Sequence, residues 1–163
     1  SQWAIMAQGF IAMAAARAAK AGASFNEVLD IVHRNISRVQ LCAEFDTLEY
    51  LKRGGRVGKA EAFIGSLLHI YPIIGIKDGV VVPFGRTRSR AKAIDFLYNF
   101  AMSYCYLEEV SVAYVNAVED AETLIERLSV KFPKERIYRS RTSPVISTHT
   151  GPNLLVLALM GDK

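Results

Sequence analysis

The spacing of apolar side chains switches between a helical and a strand period along the chain, and the switches mark out its elements. Residues 3–21 are Ala-rich, with Gly9, Ala12, Ala16 and Ala19 on one face where a neighbour can pack closely, and Gly22 ends this predicted helix. Ser24-Phe-Asn-Glu27 reads as a capping box opening a helix to about Ser37, with Phe25, Val28, Leu29, Val32 and Ile36 as its buried stripe. Val39 to Phe45 read as a strand. Asp46-Thr-Leu-Glu49 has the capping-box pattern again, opening a short helix that closes on Lys52 and Arg53, with Gly54 as a left-handed cap and Arg56 in the following turn. A further helix is predicted from about Lys59, with Ala60, Phe63, Ile64, Leu67 and Leu68 on one side and Gly65 marking a close approach. Tyr71 and Pro72 stop it.

Strand and helix signals then alternate. Ile73, Ile74 and Ile76 lead to Asp78-Gly79, a type I′ hairpin signal, and Val80 to Val82 return, with Pro83 placing the return strand at an edge or a bulge. A helix is predicted from Ser89 to about Cys105, with Ile94, Leu97, Tyr98, Ala101 and Met102 apolar. Val110 to Val115 alternate as a strand, and Asp120 caps a helix to about Phe132 with Ala121, Leu124, Ile125 and Leu128 inward. Arg136 to Ser140 form a short strand, Ser143 to Pro152 a polar loop, and Leu154 to Met160 a strand apolar enough to be buried on both faces. The expected fold is a mixed α/β domain, with helices packed on a central mixed sheet of about six strands. Residues 1–163 read as one domain without repeats or linkers.

Composition agrees with a single core, since 51% of the residues are apolar. Twenty Lys+Arg against 16 Asp+Glu leave a net charge of +4, which permits an anionic partner without requiring one. Cys42 and Cys105 lie in apolar stretches without metal-ligand spacing and read as buried free thiols of a reducing cytosol. No segment has transmembrane length. GGRVGK is not a phosphate-binding loop, because Arg53 stands at the first Gly position of that motif and Ala60 follows Lys59. The three histidines are scattered, His33 reads as a surface residue, and neither a metal set nor a nucleophile–base pair stands out.

From the residues alone, several side chains have two readings. His149, in a Ser-Thr-His-Thr-Gly-Pro stretch before a buried strand, either bonds the local backbone or presents a ligand group at a strand end. Arg56 reads from the residues as a surface arginine bonding helix C-terminal carbonyls. The stripe of Phe63, Ile64, Leu67, Leu68, Ile73 and Ile74 is either filled core or a slot for an apolar tail. Arg86, Arg88, Arg90 and Lys92 gather at a helix start, where the dipole disfavours cations, so an outside anion is one way to offset them. This cluster supports the alternative function, a basic nucleic-acid-binding or regulatory module, although no interleaved aromatics favour base stacking.

LKRGGRVGKAEAFIGSLLHIYPIIGIKDG, residues 51–79, and His149-Thr-Gly-Pro152 resemble, in order, two signatures of the C-terminal domain of the DegV family of bacterial fatty-acid-binding proteins. The resemblance extends over nearly the whole chain. It implies a cytoplasmic carrier subunit rather than an enzyme, with a long-chain fatty acid as ligand and no cofactor or metal. It further implies that a separate kinase subunit phosphorylates the acid to acyl phosphate. His149, Thr150 and Arg56 would then serve the carboxylate, and Phe63, Ile64, Leu67, Leu68, Ile73 and Ile74 the acyl chain. Ser1 matches the Ser of an Asp-Ser pair that ends the family's first domain, so the N-terminal domain, which supplies further hydroxyls to the carboxylate, is expected to be missing. An open slot would let such a fragment dimerise. Asn153 departs from the family, where Gly more often follows Gly-Pro.

Overall fold

The computed structural model describes residues 2–64 and 70–163. In chain order these form α1 (Ile5–Lys20), α2 (Phe25–Arg38), β1 (Val39–Phe45), α3 (Glu49–Arg53), a 3₁₀ turn (Gly58–Phe63), β2 (Tyr71–Lys77), β3 (Val80–Thr87), α4 (Arg90–Met102), β4 (Tyr106–Val115), α5 (Val118–Leu128), a second 3₁₀ turn (Lys134–Arg136), β5 (Ile137–Arg141), α6 (Pro144–Thr150) and β6 (Leu154–Asp162). Among the described residues the strands make one six-stranded sheet in the order β3-β2-β1-β6-β4-β5. It is mixed, as expected: β4 and β5 pair in parallel, joined by the α5 crossover, and the other neighbours are antiparallel. β6 lies at the centre and is buried on both faces from Leu154 to Gly161.

Strand alternation divides the core in two. Leu155, Leu157 and Leu159 of β6, with Cys42, Ile73, Val110 and Val112, pack under α4 and α5. Leu154, Val156 and Met160, with Leu41, Ala43, Phe45 and Ile74, face α1, α3 and the first 3₁₀ turn. The Asp78-Gly79 turn has φ of 53° and 76°, the positive pair a type I′ hairpin requires. Pro83 lies on the edge strand β3, and the register between β2 and β3 shifts there, with Ile73 opposite Gly85 and Ile74 opposite Pro83.

Several local expectations are corrected. Ser24 and Glu27 do form a capping box, but the second such pattern does not. The N-cap of α3 is Leu48; Thr47 Oγ1 accepts from the Glu49 N–H at 3.1 Å, and the Asp46 side chain turns away to Arg90 and Asn153. Gly54 has φ −78°, and the left-handed residue is Gly55, at 66°. The predicted helix from Lys59 is a 3₁₀ turn as far as Phe63; Gly65, Leu67 and Leu68 lie outside the described residues. Asp120 is in the first turn of α5 rather than its cap, which is Ala117. The Ser143–Pro152 loop contains α6, capped by Ser143 with Pro144 at its start. Phe25 and Leu29 of the α2 stripe are exposed, at 80% and 40%, because only the C-terminal part of that helix reaches the sheet. Cys42 is buried, which pushes its thiol pKa up, whereas Cys105 is exposed.

Candidate functional site

On the α1 side of the sheet the core does not close. A cavity of about 270 Å³ lies over β1, β2 and β6. Alternation places its floor: Leu41, Ala43 and Phe45 from β1, Ile74 and Ile76 from β2, Leu154 and Val156 from β6. Ala4, Ile5, Leu51, Val81 and Ile146 complete the apolar walls. The remaining lining residues are Arg56, His149 and Thr150, the three assigned to a carboxylate by the resemblance.

Of the tail residues expected from sequence, Ile74 lines this cavity. Ile73 does not: as its strand neighbour it points to the opposite face, fully buried in the α4–α5 core. Phe63 and Ile64 pack against the α1-side cluster without lining the cavity. Leu67 and Leu68 fall outside the described residues. The floor residues of β1 and β6 were missed, although the two-residue period of Leu41-Ala43-Phe45 was in the sequence to be read.

The polar wall is built by two turns that interlock. α6 is only seven residues long, yet its serines and threonines hold it: Ser147 Oγ donates to the Ser143 carbonyl at 3.1 Å and Thr148 Oγ1 to that of Pro144 at 2.8 Å. Its last turn carries His149 and Thr150, and Gly151 leaves it with φ 77°. The His149 imidazole lies where a side chain on Gly54 would stand, so any Cβ there would collide with Nδ1. Reciprocally, the Tyr50 ring occupies the space a side chain on Gly151 would need. Gly54, with an ordinary φ, is therefore fixed by close approach alone, and Gly151 by close approach together with its positive φ.

His149 Nδ1 and Thr150 Oγ1 are buried and have no hydrogen-bond partner among the described residues. Such groups cost on the order of 1–3 kcal/mol unless something satisfies them. Arg56 is exposed, and its Nη1 donates to the Gly54 carbonyl at 3.2 Å, which leaves the other guanidinium N–H groups for a further acceptor. An imidazole, a hydroxyl and a guanidinium beside an apolar chamber together suit a molecule with an acceptor-rich head and an apolar tail.

The basic cluster has a different fate. The Arg90 guanidinium pairs with Asp46 at 2.7 Å, with Asp120, and with Glu44 at 3.5 Å. Its charge is met inside the fold, so the external anion suggested by sequence is not needed at this position. Glu44 is fully buried on the α4 face, neither of its oxygens is hydrogen-bonded among the described residues, and burial pushes its pKa up to about 7 against the pull of Arg90. Among the described residues no group of His, Cys, Asp and Glu could hold a metal ion, and no helix is long and apolar enough to cross a membrane.

Sheet order, helix placement and cavity define a mixed α/β fold with an apolar chamber bordered by Arg56, His149 and Thr150. The chain belongs to the DegV family: the family model described as "Uncharacterised protein, DegV family" matches residues 1–161. It is similar to protein DegV of Bacillus subtilis, with 38% identity over 159 residues, covering 95% of this chain and 57% of the relative. Among solved structures it is similar to a DegV family protein from Thermus thermophilus described as binding fatty acid, with a TM-score of 0.87 and 28% identity over 98% of this chain and 59% of that one. It is also similar to the structure of DegV, a fatty acid binding protein from Bacillus subtilis, with a TM-score of 0.79 and 33% identity over 99% of this chain and 58% of that one. The chain thus spans little more than half the length of these relatives. The resemblance to the DegV family therefore holds.

Proposed function

We propose that the chain is the C-terminal, lipid-binding domain of a two-domain DegV protein that carries a long-chain fatty acid. The observation that carries this reading is an apolar chamber whose lining includes His149, Thr150 and Arg56, with His149 Nδ1 and Thr150 Oγ1 buried and without a hydrogen-bond partner among the described residues. The carboxylate accepts from these groups and from Arg56, and the tail lies over Ala43, Ile74 and Val156. Each buried CH₂ contributes ~0.8 kcal/mol gross, so a long tail supplies on the order of 10 kcal/mol before ordering costs are subtracted. A chamber of about 270 Å³ is small for ligand pockets. The rest of the tail's wall and further donors to its head come from the preceding domain. The isolated domain, lacking that cover, binds weakly and self-associates.

The protein is a carrier, not a catalyst: it presents the carboxylate to a separate kinase subunit in the cytoplasm. Two unpaired cysteines fit a reducing compartment. The nucleic-acid alternative loses its central residue, because Arg90 is engaged by three carboxylates. The deciding experiment is mass spectrometry of lipid extracted from the purified two-domain protein, wild type beside His149→Ala. A stoichiometric fatty acid, reduced in the variant, is expected. Lipid kept equally by both would return His149 to a structural role. No lipid in either, with binding of nucleic acid that falls steeply with salt, would replace this reading with the basic-module one.

A further inference from the structure

Asn153 occupies an unusual place. It lies between Thr150 and Leu154, both of which line the chamber, and its backbone is left-handed at φ 60°. Asn and Gly are the residues that accept this conformation most readily, so Asn153 keeps the turn that a glycine would make. It also does something glycine cannot. Its Nδ2 donates to Asp46 Oδ2 at 2.7 Å, while the other Asp46 oxygen accepts from Arg90 at 2.7 Å. Arg90 is held in turn by Asp120 of α5. A continuous chain of polar contacts therefore runs from the well-packed α4–α5 side, round the end of β1, to the loop that carries His149.

We propose that Asn153 is a positioning residue of this particular chain: with Asp46 it latches the His149 loop to the end of β1 and so holds the head-binding wall in place. This rests on the carboxylate reading of that wall, but the latch is observable without ligand. The Gly151 N–H donates to the Ser147 carbonyl at 2.9 Å and reports opening of the last turn of α6. The groups that set the charge at the latch are Asp46, Arg90, Glu44 and Asp120.

The test uses the intact two-domain protein. Three substitutions are compared: Asn153→Gly, which keeps the left-handed turn without the amide; Asn153→Asp, which sets a like charge against Asp46; and the exchange D46N/N153D, which restores a donor and an acceptor with their roles reversed. In ligand-free protein, hydrogen exchange at the Gly151 amide is expected to quicken roughly three-fold in Asn153→Gly and ten-fold in Asn153→Asp, with β4 amides unchanged, and to slow again in the exchange variant. Palmitate affinity should fall in the same order, while hexadecanol, which has the tail without the carboxylate, binds as before. Unchanged Gly151 exchange in Asn153→Asp, or failure of the reversed pair to restore it, would overturn the latch. An equal loss of palmitate and hexadecanol affinity would also overturn it, by making Asn153 a general structural residue. If wild type binds neither probe, the fatty-acid reading fails, and the exchange data still decide the latch.

Discussion

The two faces of the sheet use the same strands to opposite ends. On one, Leu155, Leu157 and Leu159 of β6 are sealed beneath α4 and α5, whose Leu97, Leu124 and Leu128 are equally buried. On the other, Leu154 and Val156 are just as inaccessible, yet they border a chamber. Burial therefore does not distinguish filled core from the border of a cavity. What differs is the cover. Two helices with continuous apolar stripes fill the first face, whereas the second is roofed in part by short elements, α3, the first 3₁₀ turn and α6, whose ends bring polar groups inward.

The largest expected effect tests that difference directly. Leu124→Ala should cost about 2–5 kcal/mol, because it opens a void among well-packed neighbours. Ile74→Ala should cost distinctly less, since that side chain already borders empty space and fewer contacts are lost. Equal losses in denaturant titrations would erase the contrast between the faces. Next comes the charge placed in the filled face. The folded pKa of Glu44 is pushed up to about 7 from the usual 4.5, so the folded state holds a proton that the unfolded chain has released in between. Stability from this group is complete below the lower value and declines as pH rises through the higher one. Glu44→Gln should flatten that decline and gain roughly 1–3 kcal/mol over wild type at pH 8, with little gain at pH 4. Chemical denaturation at the two pH values measures it.

A smaller effect belongs to the polar wall. Gly54→Ala should displace the His149 ring and weaken palmitate binding by the two-domain protein about ten-fold, about 1.4 kcal/mol. Titration calorimetry with hexadecanol as the neutral comparison would show whether the loss is confined to the head. The smallest sharpens the reading of α2. Phe25→Ala should change stability by no more than about 0.5 kcal/mol, since that ring is 80% exposed, and a larger loss would mean the face is covered in solution.

Most of the sheet was legible because its signals are redundant. β6 is a continuous apolar run, and the β2–β3 hairpin has both its Ile and Val runs and the Asp78-Gly79 turn between them. The long helices α4 and α5 repeat their inward positions over several turns. α6 and the second 3₁₀ turn escaped because they have too few residues to show a period. α6 is rich in Ser and Thr, which read as loop, although Ser143-Pro144 is a cap followed by a helix-starting proline. The Asp46 pattern misled for the opposite reason: a local cap lost its carboxylate to partners 44 and 107 residues away. The resemblance named His149, Thr150 and Arg56, and the structure places all three along one cavity. Their shared wall depends on contacts between separate turns, which spacing along the chain does not encode.

The two rings and two glycines of that wall also constrain how such a sequence can drift. Tyr50 needs an empty position at 151, and His149 needs one at 54. A side chain acquired at either glycine becomes tolerable only when the facing ring shrinks, and shrinking His149 removes the nitrogen that the head of the ligand would meet. Packing thereby couples the four positions, which should change together or stay fixed.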